Sequence, residues 1–203
     1  MFSFNKINKG DYGYIPYRKK IAILRTALCL VITIGIYLTG FVMYHSPKSA
    51  ISIFAALGCL PTGWSGVNLV MFLKAKGCKE EDHNKIEACR GNLLIHYDHV
   101  ITSYEKNYYL SASTVLDKNI CCYTWDDDLD VSDCEKHIKK MMASNGYSNY
   151  SIKIFTDIDK FCDRLVQLEK LRSDKNIDPQ AIEDAWIPGT VQTPASILLS
   201  ISL

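Results

Sequence analysis

No charged residue interrupts the chain from Thr26 to Tyr44 (TALCLVITIGIYLTGFVMY), and Ala50 to Leu73 (AISIFAALGCLPTGWSGVNLVMFL) is a second uncharged run. At ~1.5 Å per residue the first run reaches about 28 Å, close to the ~30 Å hydrocarbon core of a bilayer. Apolar side chains cover every face of both segments, unlike the single stripe of a helix in a soluble protein. Only His45-Ser46-Pro47-Lys48-Ser49 separates the runs, so the pattern predicts two antiparallel transmembrane helices within residues 21–74. A signal peptide is the competing reading of the first run. Its length, the lack of a small-residue cleavage site and the immediate second run argue against it.

The flanking charges give an expected orientation. Arg18, Lys19, Lys20 and Arg25 precede the first span, Lys74, Lys76 and Lys79 follow the second, and one lysine lies in the connection. The positive-inside rule therefore puts both termini in the cytoplasm, in a multi-pass protein of the cell membrane. Tyr12, Tyr14, Tyr17 and Tyr44 suit the headgroup level. Pro61 should kink the second span. Ser52, Ala56, Thr62 and Gly66 are small enough to let the helices approach closely.

Beyond Ala75 the apolar spacing changes. Lys79–Ala88 reads as a charged helix, and Asn92–Tyr104 is read as its helical continuation, with Leu93, Leu94, Tyr97, Ile101 and Tyr104 on one face. Tyr108–Leu116 and Ile120–Trp125 read as a β-hairpin around Asp117-Lys118-Asn119. Ser132 and Glu135 form a capping box for a helix that carries Cys134, Ile138, Met141 and Met142 and stops at Asn145-Gly146. Ser151–Phe155 is a short strand. A last helix with Ile158, Phe161, Cys162, Leu165 and Leu168 on one face runs to Arg172. The expected fold is thus an α-helical membrane hairpin plus a small cytoplasmic α/β domain of order α-β-β-α-β-α. Residues 1–20 form a basic segment, 21–74 the hairpin, 75–172 the domain, and 173–203 a loosely ordered tail broken by Pro179, Pro188, Gly189 and Pro194.

Charge and cysteine content narrow the function classes. Met1–Arg25 holds six basic residues and one acidic; Ala75–Arg172 holds 14 basic and 17 acidic. A mildly acidic body lacks the clustered cations of a nucleic-acid surface, so no nucleic-acid partner is expected. The eight cysteines show no spacing typical of a secreted scaffold and read as reduced thiols.

Three clusters invite chemistry. Asp126, Asp128 and Asp130 alternate like the first ligands of a calcium loop, but Val131 stands where the turn glycine belongs and His137 where the bidentate glutamate belongs. A solvated loop before a helix N-terminus is the plainer explanation. Cys134 and His137, three apart on one helical face, are zinc-type ligands that Cys121 or Cys122 would complete; buried thiols are the alternative. Asp126, Asp128, Asp130, Cys134 and His137 are therefore the candidate metal residues, for zinc or another divalent ion, although no resident cofactor is expected. His96, Asp98 and His99 form the third cluster, suited to acid–base work or a metal, with a structural role near the membrane as the plainer explanation. No phosphate-binding loop, dinucleotide fingerprint or Ser/His/Asp order is present.

A β-hairpin, a helix ending in Asn145-Gly146-Tyr147 and a strand running Ile152–Asp157 (IKIFTD) resembles, between Tyr108 and Arg164, the second half of NERD-type and restriction-endonuclease-like domains. Active members of that group carry an Asp on the first strand and Glu-x-Lys on the second. Cys121-Cys122-Tyr123-Thr124 offers neither Glu nor Lys, so the resemblance implies that metal-dependent nuclease chemistry has been lost. The layout as a whole, with Asn92–Asp98 (NLLIHYD) and Ile152–Phe161 (IKIFTDIDKF), resembles two-span membrane proteins of clostridial bacteria, which implies a bacterial source and no activity. The reading that follows is a non-enzymatic membrane-anchored module, partnered by the lipid bilayer and by a cytoplasmic protein or a second copy of itself. A divergent metal-dependent nuclease-like enzyme and a small oligomeric pore are the alternatives.

Overall fold

The computed structural model describes residues 6–44, 50–103, 106–187 and 190–203. The expected interhelical connection (His45–Ser49), Tyr104 and the tail breakers Pro188 and Gly189 lie outside the described residues, as do the side chains of Tyr44 and Ser52. The chain divides into two units, 15–75 and 1–14 with 76–203.

The first unit is a pair of helices, α1 (Tyr14–Tyr44) and α2 (Ala50–Lys74). α1 is 31 residues long, or roughly 46 Å. It starts well before the uncharged run because nothing after Gly13 stops it, and Pro16 falls in the first turn, where a missing N–H is tolerated. Both helices are long and apolar enough to cross a membrane, and their most apolar windows are only 6% and 11% buried. Pro61 stands inside α2, which runs on as one helix. Beside it the Gly58 carbonyl accepts from Thr62 Oγ1 at 2.9 Å and from Thr33 Oγ1 of α1 at 3.2 Å. The Gly58 carbonyl thus gains two hydroxyl donors, one residue after Leu57, whose carbonyl Pro61 leaves without its helical N–H. The close approach of the helices is at Gly58, where a Cβ would lie 3.1 Å from Thr33 Oγ1. Further along, Ser65 is buried and bonded to Thr26 and Arg25. Of the small residues singled out from sequence, Thr62 joins this contact, whereas a Cβ on Gly66 would meet nothing.

The second unit runs α3 (Glu80–Cys89), β1 (Ile95–Thr102), β2 (Asn107–Leu116), β3 (Asn119–Tyr123), α4 (Val131–Ser144), β4 (Ser151–Phe155), α5 (Ile158–Lys175), α6 (Pro179–Asp184) and α7 (Pro194–Ile201). The sheet order is β1-β2-β3-β4, antiparallel except for the parallel β3–β4 pair that α4 bridges. β3 alternates cleanly: Cys121 and Tyr123 join a core with Ile86 of α3 and Phe161, Leu165 and Leu168 of α5, while Ile120 and Cys122 join a second core with Cys134, Ile138 and Met142 of α4 and Ile197 and Leu198 of α7. Helices therefore cover both faces of the sheet.

Three expectations are corrected. Ile95–Thr102 is a strand, so the order is α-β-β-β-α-β-α before the tail. The apolar spacing there fits a helix, but Ile95, Val100, Ile101 and Thr102 are β-branched and pair in register with β2 from Ile95↔Thr114 to Thr102↔Asn107. Asp98 within it adopts a left-handed conformation (φ 58°). Around that point the faces change over: Tyr97 and Ala112 belong to the first core, Ile101 and Leu110 to the second. The capping box is displaced as well. Asp130 caps α4 by accepting from Asp133 N. Glu135 Oε1 accepts instead from Ile154 N of edge strand β4, at 2.9 Å. Finally, the described residues of the tail include two helices where a loose segment is expected. α7 packs into the second core, Leu203 N donates to Val100 O, and Val100 N donates to Ser202 Oγ. On the same strand Tyr97 N donates to Gly10 O. The free edge of β1 is thus covered by segments from the two ends of the chain, as exposed edges require.

Candidate functional site

The seam between the sheet and the C-terminal helices holds a cavity of about 240 Å³. Leu94, His96, Val115 and Leu116 line it from β1, β2 and their approaches, and Pro179, Ile182, Pro194 and Ala195 from α6 and α7. Most of this lining is apolar, with the carboxyl groups of Asp117 and Glu183 also present. Those groups are already engaged: Asp117 pairs with Lys175 at 2.7 Å, which holds its carboxyl below the ordinary range. Glu183 accepts from Thr193 Oγ1 at 2.6 Å, and Thr193 in turn caps α7 through Ser196 N. This chain of bonds ties α6 to α7. A wider polar cleft of about 690 Å³, lined by Arg90, Asn92, Arg172 and Gln180, shares Leu94 and Ile177 with the cavity.

The three residues of the His96–His99 cluster go to different places. His96 lines the cavity, and burial lowers its pKa, so the ring is neutral at pH 7. Its Nε2 is buried without a hydrogen-bond partner among the described residues. Asp98 accepts from Cys78 N at 2.8 Å. His99 is fully buried and lies 2.7 Å from Ser113 Oγ, with its pKa pushed down to about 3 by desolvation. Ser113 and His99 have the geometry of a nucleophile and its base. However, Ser113 is 0% and His99 1% exposed, so the pair satisfies two buried polar groups in place of attacking a substrate. The contact joins residues fourteen apart on neighbouring strands, and no sequence signal marks it because it depends on strand register.

The structure does not gather the five candidate metal residues. Asp126 is bonded to Lys76 at 2.5 Å, and Asp128 reaches the same ammonium at 3.5 Å. Asp130 caps α4. Cys134 is sealed in the second core, where burial pushes its thiol up to about 12. His137 borders a small cleft with Tyr108, Asp133, Lys136 and Lys140. No group of three His, Cys, Asp or Glu side chains among the described residues is placed to hold a metal ion.

The acidic stretch has another use. Trp125 Nε1 donates to Gly77 O at 2.7 Å, and Lys79 Nζ sits 4.2 Å from the centre of the indole ring. With Asp126 on Lys76 and Asp98 on the Cys78 amide, the segment 76–79 is fastened residue by residue to the α/β unit. Family models, curated proteins and solved structures show no match to this chain, so its reading rests on these residues and their geometry.

Proposed function

We propose that the chain is a membrane-anchored binding module without chemistry of its own, and that its α/β unit engages a cytoplasmic protein at the α6–α7 seam. The single observation that carries the partner site is the mainly apolar cavity of about 240 Å³ there, with Ile182 at its rim 52% exposed. Ile187 and Val191, 65% and 73% exposed, follow in the same C-terminal segment. A pocket below the usual ~300–1,000 Å³ of small-molecule sites suits one anchoring side chain of a partner, with a rim of accessible apolar groups around it. The nearly unburied apolar windows of α1 and α2 support bilayer anchoring over a hairpin buried in a soluble core. Arg18, Lys19, Lys20, Arg25 and Lys74 at their outer ends support cytoplasmic termini.

The test is cross-linking of the full chain in detergent with and without cell extract, comparing wild type with Ile182→Glu and Ala195→Trp. A cross-linked complex with a protein of the extract that falls roughly tenfold in both variants is expected, the loss typical of an anchor residue, whereas a homo-oligomer alone would overturn the proposal. A strict monomer, or a complex indifferent to both substitutions, would overturn the proposal.

A further inference from the structure

Two thiols meet where α3 lies against α5. Cys89 is the last residue of α3, and its Sγ donates to Ile86 O at 3.4 Å. Cys162, in α5, points its Sγ at Lys85 O of the same α3 turn, at 3.9 Å. Both sulfurs thus sit against adjacent carbonyls of one α3 turn, close enough for each thiol to affect the other's ionisation. Both are half-buried, so a small reagent reaches them, and Cys89 packs at the edge of the first core. In contrast, Cys121, Cys122 and Cys134 are at most 2% exposed. Cys29 and Cys59 belong to the apolar hairpin.

We propose that Cys89 and Cys162 are a redox-convertible pair that closes into a disulfide, pinning α3 to α5, when the protein meets a low-molecular-weight disulfide. The exchange balances in two steps. One cysteine loses its proton, and its thiolate attacks a sulfur of the oxidant RSSR; the protein–SR bond forms and RS⁻ leaves. The second cysteine, deprotonated in turn, attacks the protein sulfur of that mixed disulfide. The Cys89–Cys162 bond forms and the second RS⁻ is expelled. Two thiols are oxidised, RSSR is reduced to two RSH, and the two protons released by the cysteines are taken up by the two RS⁻. In a reducing cytoplasm the pair rests as dithiol. Burial and the neighbouring thiol push Cys89 up to about 12, so exchange is slow at neutral pH and accelerates as pH rises. α3 carries Asp82 and Glu87, which accept from the sheet tyrosines Tyr123 and Tyr97 at 2.9 Å and 2.7 Å. A bond at Cys89 therefore locks a helix otherwise held by side-chain contacts.

The experiment incubates the purified full chain in detergent with excess oxidised glutathione at about pH 8, where more thiol is ionised. Remaining thiols are alkylated, and unreduced peptides are mapped by mass spectrometry. The expected result is a Cys89–Cys162 linked peptide two hydrogens lighter than its parts, loss of two alkylatable thiols, and reversal by dithiothreitol. Cys89→Ser and Cys162→Ser should each abolish the link and leave a glutathione adduct on the remaining cysteine. A wild-type map showing stable glutathione adducts on both residues, no modification of either, or a predominant link between other cysteines would overturn the proposal. The wild-type map decides the pairing even if a variant fails to fold.

Discussion

Replacing Leu198 by alanine probes whether the C-terminal helix belongs to the domain. Leu198 is fully buried in the second core, where α7 meets α4 and the sheet. The substitution removes three carbons, a transfer loss of about 2.4 kcal/mol at ~0.8 kcal/mol each. The cavity left behind raises the cost to about 3–4 kcal/mol, within the range measured for buried Leu→Ala changes. In a domain of this size each kcal/mol moves Tm by about 3–5 °C, so a fall of roughly 10–15 °C is expected. The assay is thermal unfolding of the full chain in detergent, followed by near-ultraviolet circular dichroism. Val191→Ala is the control: Val191 is 73% exposed, and its loss should fall within about 0.5 kcal/mol. If Leu198→Ala shifts Tm no more than Val191→Ala, α7 does not pack on the sheet, and the cavity it roofs and the proposed partner site lose their basis.

Two further outcomes are expected. His99 is buried neutral with a pKa near 3, well below the ~6.5 of an unfolded histidine. Below about pH 6.5 the unfolded chain takes up a proton that the folded chain refuses, so stability falls as pH drops from there toward 3. Urea unfolding at about pH 5 should show a loss of roughly 2 kcal/mol relative to about pH 7 from this residue, and His99→Gln should remove that slope; an unchanged pH dependence would refute the assignment. Glu135→Ala should orphan the Ile154 N–H on edge strand β4 at about 1–3 kcal/mol, and speed hydrogen exchange at that amide. Unaltered exchange there would show that the carboxylate does not hold the edge.

Local physics made much of this chain legible in advance. The two apolar helices follow from uncharged runs long enough to span a bilayer, a property of composition that needs no partner. β4 and α5 were readable to within a few residues, because Ser151–Phe155 and the stripe Ile158, Phe161, Leu165 and Leu168 obey their own periods. Asp157 marks the α5 N-terminus as a cap by its own side chain. Where the outcome depended on a distant segment, the sequence was silent or misleading. Ile95–Thr102 satisfies a helical stripe, yet seven pairings with β2 outweigh that local preference. Asp126 looks like a ligand until Lys76, fifty residues earlier, pairs with it, with Asp128 at the margin of the same ammonium. Cys134 looks like a ligand until the second core closes over it. The tail carries helix breakers and reads as loose. It is ordered because Leu198 and Ile197 find an apolar face and β1 presents an edge whose backbone groups need partners. Local residue patterns set what each segment prefers and mark two of them as suited to a membrane. Which polar groups pair, which thiols share a helix turn and where a cavity remains all depend on contacts between residues that strand register and layer packing bring together.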